Sequence, residues 1–221
     1  IRDSMKTKEV DPHLKKAANW TYFKDARRNS SSEPVVTAIL HTNSKKCWFW
    51  YIPLSDDTVS VGVVSDNDYL LKGRGTPEQT FHDEWQQCVG IKNRLQDAKQ
   101  VGKFHVAKEF SYKSRQVAGE GWVLVGDAYG FIDPIYSSGV FLALKSGEMA
   151  ADAIIAGFEN GDLSGEQLGS WREPFEAGVV WIRKLVDAFY TPEFSFGEFM
   201  KAYPQHLSLI HISEPTRRDP I

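Results

Sequence analysis

Three short runs between residues 34 and 65 alternate or concentrate apolar positions with the period of strands. PVVTAILH is rich in β-branched residues, KKCWFWYIPL is aromatic, and DTVSVGVVS alternates apolar with small or polar residues. SDDT at 55–58 supplies a turn between the last two and predicts an antiparallel hairpin. Pro53 closes its strand or lies at an edge, because it has no N–H for a ladder. Thr76-Pro77-Glu78 starts a helix with a cap, a proline in the first turn and an acid near the positive dipole end. Phe81, Trp85 and Cys88 give it an apolar stripe, Gly90 is expected to end it, and IKNRLQDA forms a shorter second helix. Residues 103–113 read as extended again, and Gly119-Glu120-Gly121 turns the chain into WVLV, 122–125. That run is apolar on both faces, as a strand buried between layers must be. GVFLALKSGEMAADAIIAGF is a long helix in which Val140, Leu144, Gly147, Ala151 and Ile154 fall near one face, predicted to pack on a sheet. Gly161-Asp162 breaks it, and one or two further helices follow, with Pro174 as kink or boundary. The predicted architecture is mixed α/β (α+β), with a β-rich first half and one buried strand feeding a helical second half.

Composition narrows the class. A chain of 221 residues with 42% hydrophobic and 25% charged residues is that of an ordinary globular protein with room for a sizeable core. A net charge of −3 gives no electrostatic reason to expect nucleic acid or an anionic membrane as partner. Cys47 and Cys88 stand far apart, without the spacing of a metal site, and read as reduced thiols in a cytoplasmic setting. No apolar stretch approaches the roughly 18 residues of a spanning helix. The last residues, SLIHISEPTRRDPI, follow neither periodicity and resemble the translated read-through of a sequencing adaptor. The chain opens on Ile1 rather than Met and is expected to be a fragment.

The candidate chemistry lies in GDAYGFIDPIYSSGV, 126–140. Gly126 lets the backbone turn sharply and approach a ligand. Asp127 follows a predicted strand, where α/β sheets place ligand-binding groups, and its carboxylate can accept hydrogen bonds from sugar-type hydroxyls. Ser138 and Gly139 open the long helix, whose free N–H groups and dipole attract anions or electron-rich oxygens. An Asp bonded to local backbone and a serine serving only as helix cap would be the ordinary structural reading. Gly-Asp, then Pro134, then Ser-Ser-Gly at a helix start forms a more specific pattern and favours a functional one.

This stretch resembles the second FAD-contacting motif of flavoproteins of the para-hydroxybenzoate hydroxylase fold. Within that fold, Phe131-x-x-Pro134-x-x-Ser137-x-Gly139 is similar to the FxxPxxSxG pattern of flavin-dependent halogenases, and WFWYIP, 48–53, to their WxWxIP pattern. The resemblance runs from about residue 1 to 206. It implies an FAD-dependent oxidoreductase that uses reduced FAD and O2 to oxidise a halide and halogenate an electron-rich small molecule. It implies that Gly126, Asp127, Pro134, Ser138, Gly139 and Val140 contact the flavin. Asp127 would meet ribityl or ribose hydroxyls, and the N–H groups of Gly139-Val140 would face the pyrimidine end. Ser138 and Gly139 would hold the halide. Trp48 and Trp50 share one face of a strand and would wall the flavin from substrate, although same-face strand aromatics also fill cores. A separate flavin reductase and no resident metal complete the picture.

The same resemblance defines the expected organisation: a β-rich substrate-side region at 1–115, the last strand and helix of the FAD domain at 116–160, a helical region at 161–207 and a non-native tail at 208–221. The GxGxxG turn of the Rossmann portion and the catalytic lysine belong upstream of Ile1, so the chain alone is expected to be inactive and to bind FAD weakly. Tyr129 stands where many halogenases carry a small residue, which implies altered substrate access or flavin motion. Lys145 reads as a solvated helix lysine rather than a base. A flavin-dependent monooxygenase, a geranylgeranyl-reductase-like enzyme and a non-catalytic binding module remain the alternatives.

Overall fold

The computed structural model describes residues 6–27, 36–191 and 195–204. In chain order it contains β1 (Lys8–Val10), β2 (Lys16–Lys24), β3 (Ala38–His41), β4 (Trp48–Pro53), β5 (Val59–Asp66), α1 (Asn67–Leu71), α2 (Pro77–Gln86) and α3 (Val89–Arg94). These are followed by β6 (Lys99–Lys108), β7 (Tyr112–Ser114), β8 (Ala118–Gly119), β9 (Trp122–Val123), a 3-10 turn (Gly126–Ala128) and β10 (Gly130–Phe131). The helices α4 (Gly139–Asn160), α5 (Gly165–Gly169), α6 (Arg172–Tyr190) and α7 (Phe196–Ala202) complete the chain. Two compact units divide it, Ile1–Glu176 and Ala177–Ile221. Ser208–Ile221, and residues 34–35 of the first expected strand, lie outside the described residues.

In the first unit, a five-stranded antiparallel sheet has the order β3-β4-β5-β2-β6. The predicted hairpin is β4–β5: Asp56 and Asp57 both adopt left-handed backbone, with φ of 58° and 60°, a conformation their short polar side chains tolerate. Leu54 N–H donates to the Thr58 carbonyl at 2.8 Å, and Pro53 faces Val59 at the strand end. Thr76 caps α2, its hydroxyl accepting from Gln79 N–H at 3.2 Å with Pro77 beginning the helix. Phe49, Tyr51 and Val61 share a core with Leu70, Phe81 and Ile91 of the helices. Phe81 sits at its centre, edge-on to Phe49 at 5.7 Å and tilted against Phe104 at 5.3 Å.

A buried ionic cluster ties α2 to the start of β4. The Glu84 carboxylate is fully enclosed; Oε1 accepts from Arg74 Nη2 at 2.9 Å and Oε2 from Cys47 Sγ at 3.3 Å. Burial, reinforced by Glu84, pushes the Cys47 thiol up to about 12. Cys88 is also buried, and its thiol is raised by the same desolvation.

The structure departs from the sequence reading at four points. First, β2, the strand joining β5 to β6, was not recognised from the pattern. Its inward positions include Asn19 and Thr21, both fully buried, and these polar residues break the apolar alternation. They are accommodated because Asn19 Nδ2 donates to the Pro77 carbonyl at 2.6 Å and Thr21 Oγ1 to the Lys103 carbonyl at 3.2 Å. Second, Gly90 does not end a helix: α2 stops at Gln86, and Gly90 lies inside α3, against Leu40. Third, the strand in WVLV is shorter and less buried than expected. Only Trp122–Val123 is paired, antiparallel with β8 through the predicted Glu120-Gly121 turn, and three of the four residues of WVLV are only half-buried.

The fourth concerns α4. Its predicted length holds, and Gly161 ends it in the left-handed conformation. The face turned inward, however, is Ser146, Ala150, Ala153 and Gly157, whose small side chains admit close approach of the preceding turn and of α5. The apolar stripe expected to pack on a sheet faces outward at Val140 and Leu144, exposed to 73% and 71%, and at Ala151, with Ile154 half-buried and open space at Gly147. A large apolar stripe buries only against a second layer, and the described residues of this unit do not supply one. In the second unit, Ser195 caps α7 by accepting from Glu198 N–H at 3.4 Å, and Arg183 pairs with Asp187 at 3.0 Å along α6. Among the described residues no helix is long and apolar enough to cross a membrane.

Candidate functional site

The Gly-Asp turn is built from three directions. Leu124 N–H donates to the Val117 carbonyl at 2.7 Å, which fixes the approach from the hairpin. Gly126 then takes a φ of 53°, the left-handed region that an L side chain resists, and a Cβ there would lie 3.1 Å from Ala143 Cβ of α4. Its N–H donates to the buried Ser146 hydroxyl of α4 at 2.9 Å, and that hydroxyl donates to the Ala143 carbonyl at 3.0 Å. Tyr112 of β7 donates its hydroxyl to the Asp127 carbonyl at 2.8 Å. Asp127 is thus pinned by its backbone, while the residue itself is exposed at the end of the turn.

Tyr129 goes the other way. It is buried, edge-on to Trp171 at 5.4 Å and Phe175 at 6.2 Å, and its hydroxyl donates to Glu176. Burial and the Glu176 carboxylate hold that phenol far above the ordinary tyrosine range. The expectation that Tyr129 alters access to the site is therefore corrected: its side chain packs inward instead of lining an opening.

Between the turn and α4, each motif residue has a local task. Phe131 of β10 lies against Gly139, whose absent Cβ would meet the ring at 3.2 Å, and is edge-on to Phe110 at 6.3 Å. Asp133 is buried and accepts from Ile135 N–H at 2.9 Å, so the second acid of the stretch is structural. Pro134 is half-buried, and its carbonyl accepts from Ser137 N–H at 3.0 Å. Ser138 occupies the cap position of α4, yet its side chain makes no cap hydrogen bond, and the first helical bond runs from Leu142 N–H to the Ser138 carbonyl at 2.9 Å. The opening N–H groups of a helix have no intrahelical acceptor, so those of Gly139 and Val140 are available to an anion or carbonyl. Val140 exposes its side chain there. Lys145, as expected, is a surface residue, paired with Glu148 at 2.8 Å.

Trp48 and Trp50 share the sheet face opposite the helices' core, with ring centroids 6.3 Å apart. Trp48 is buried and Trp50 half-buried. Trp50 Nε1 donates to Ser60 Oγ at 3.1 Å, and its ring lies 6.0 Å from Trp20 of β2. Among the described residues no cluster of His, Cys, Asp or Glu could hold a metal ion. The Tyr112 hydroxyl, Ser146, Ser60 and Trp20 were missed by sequence reasoning. Their partners lie many positions away or on another strand, and the one local sign was Gly62 interrupting a valine-rich strand opposite Trp50.

The antiparallel sheet backed by helices, the glycine turn and the long helix α4 together form a mixed α/β arrangement. Residues 20–195 match the tryptophan halogenase family, and the chain belongs to it. It is 32% identical over 177 residues to the 1H-pyrrole-2-carbonyl-[peptidyl-carrier protein] brominase of Pseudoalteromonas luteoviolacea, covering 79% of this chain and 41% of that protein. It is 28% identical over 212 residues to the corresponding chlorinase of Pseudomonas fluorescens, covering 93% and 46%. The solved structure of the flavin-dependent brominase Bmp2 superposes with a TM-score of 0.80 at 28% identity, covering 93% of this chain and 51% of that one. The chain therefore spans about half the length, or less, of these relatives.

Replacing Ser146 with alanine strands the Gly126 N–H between the turn and α4. The expected loss is about 1–3 kcal/mol of stability, the cost of an unsatisfied donor, read as a lower urea midpoint at unchanged slope.

Proposed function

We propose that this chain carries the flavin-contacting turn and the substrate-side sheet of an FAD-dependent halogenase, which uses reduced FAD, O2 and a halide to halogenate an electron-rich aromatic small molecule. The observation that carries the reading is the pairing of an exposed Asp127 with an uncapped α4 start, joined through the Ser146 hydrogen bond in a stretch with the family's motifs. These residues fit the ribityl and pyrimidine end of FAD: the acid offers an acceptor, the helix start offers donors, and the missing Cβ of Gly126 keeps the turn against α4. A GxGxxG seat for the pyrophosphate does not occur in the sequence, and it belongs, with the catalytic lysine, to a Rossmann portion preceding these residues.

When bound, FAD supplies the activation of O2 that oxidises the halide. Asp127 accepts hydrogen bonds from the ribityl or ribose hydroxyls. The N–H groups that open α4 at Gly139 and Val140 would face the pyrimidine end, and Ser138 with Gly139 would hold the halide at the same positive dipole end. Gly126 and Pro134 hold the two bends of the connecting loop. Trp50, backed by the buried Trp48, separates flavin from substrate. Residues 1–115 form the substrate side, 116–160 the end of the FAD domain and 161–207 a helical region. A separate reductase delivers the reduced flavin, and a cytoplasmic setting agrees with two buried, unpaired thiols.

The named activities of the first two relatives make a carrier-tethered pyrrole the first substrate to offer, ahead of a panel of other electron-rich aromatics. A full-length protein containing this chain, supplied with FAD, a flavin reductase, NADH, O2 and bromide, is expected to give brominated product by mass spectrometry. Direct NADH oxidation by the protein with hydroxylated or reduced product, and no halogenation across the panel, would overturn the reading in favour of hydroxylase or reductase chemistry.

A further inference from the structure

The residues that fix Trp50 lie on the neighbouring strand. Gly62 of β5 is the cross-strand partner of Trp50, and a Cβ there would lie 2.2 Å from Trp50 Cζ2 and 2.5 Å from Cε2 and Cη2. The indole therefore lies flat across β5, directly over the backbone of a buried glycine. Its Nε1 donates to Ser60, on the same face of that strand, at 3.1 Å. Glycine weakens a strand interior and there marks close approach of another group, and β5 otherwise carries Val59, Val61, Val63 and Val64.

The far edge of the ring is also held. Gly62 pairs on its other side with Trp20 of β2, whose ring is tilted 47° to Trp50 at 6.0 Å. Trp20 stacks on His105 of β6 at 5.3 Å and 21°. The register between β2 and β6 slips between Trp20 and Tyr22, and Gly102 in that bulge has a φ of 88°. A bulge re-aims the side chains next to it, and here His105 faces Trp20.

We infer that Gly62 and Ser60 are positioning residues that set the plane of the Trp50 indole, with Trp20 and His105 as its lateral stop. This rests on the proposed role of Trp50 as the wall between flavin and substrate. A packing role would need only bulk at position 50. A wall needs one orientation, and the combination of a bare Cα beneath the ring with a hydrogen bond to its N–H supplies it.

The test uses Gly62→Ala, Ser60→Ala, Ser60→Thr and Trp50→Phe. In this chain, the far-UV circular dichroism couplet of the coupled indoles is expected to collapse in Gly62→Ala, weaken in Ser60→Ala and return in Ser60→Thr. In the full-length protein, halogenated product per reduced flavin consumed is expected to fall in Gly62→Ala by up to about 100-fold, the cost of an ångström-scale misplacement of a reaction geometry, with substrate KM changed less. An unchanged couplet in both Gly62→Ala and Ser60→Ala overturns the positioning role, and Ser60→Ala, which adds no bulk, gives that answer even if Gly62→Ala fails to fold. A lost couplet in Gly62→Ala, with coupling unaltered in Trp50→Phe, upholds the positioning and removes the wall role instead.

Discussion

Arg74→Ala is expected to destabilise the chain by about 3–5 kcal/mol, the cost of leaving one member of a buried ion pair unpaired. Glu84 has no exposed surface, and its two oxygens are committed to Arg74 and Cys47. The Arg74 side chain keeps about a fifth of its surface in water and lies 3.6 Å from Asp83, so the lower end of the range applies. Removing the guanidinium strands a carboxylate among Cys47, Tyr69 and the core. Urea unfolding followed by tryptophan fluorescence measures the effect. The double variant Arg74→Ala/Glu84→Leu should recover most of the loss, because it removes the stranded charge as well as its partner. A single-variant loss below 1 kcal/mol would mean that water reaches Glu84.

Asp127→Ala in a full-length protein is expected to weaken FAD binding by about 10–100-fold, since hydrogen bonds to a charged acceptor are each worth about 1.5–3 kcal/mol. The urea midpoint should fall little, because the turn is held by the Gly126 N–H and the Asp127 carbonyl. Flavin fluorescence quenching gives the affinity, and the urea midpoint gives the control. Asp133→Ala should do the opposite, lowering stability first, since its buried carboxylate caps Ile135 N–H. Unchanged FAD affinity in Asp127→Ala would end the assignment of this acid to the flavin.

These two acids show how far the sequence could be read. Both stand in one motif, and only burial separates the exposed ligand candidate from the internal cap. The β4–β5 hairpin and the start of α2 were legible because their signals are local: consecutive aspartates at a turn, and Thr-Pro-Glu at a helix start. Strand β2 was not, because its buried Asn19 and Thr21 find their acceptors at the carbonyls of Pro77 and Lys103, far along the chain. The length of α4 was legible from its composition, but not its orientation. Large apolar side chains are the usual mark of an inward face, and here the small residues go inward while Val140 and Leu144 face out. The flavin and tryptophan motifs could be found as strings. The parts that hold them, Ser146 beneath Gly126 and Gly62 beneath Trp50, are relations between strands and helices that no string displays.

The burial of Cys47 has a chemical consequence. It immediately precedes Trp48, and a thiol pushed up to about 12 carries almost no thiolate at neutral pH. Thiolates are the groups that electrophilic oxidants consume first, and an enzyme releasing activated halogen would expose any such sulfur on every turnover. Enclosed in the helix-backed core, protonated and donating to Glu84, Cys47 is poorly suited to that reaction.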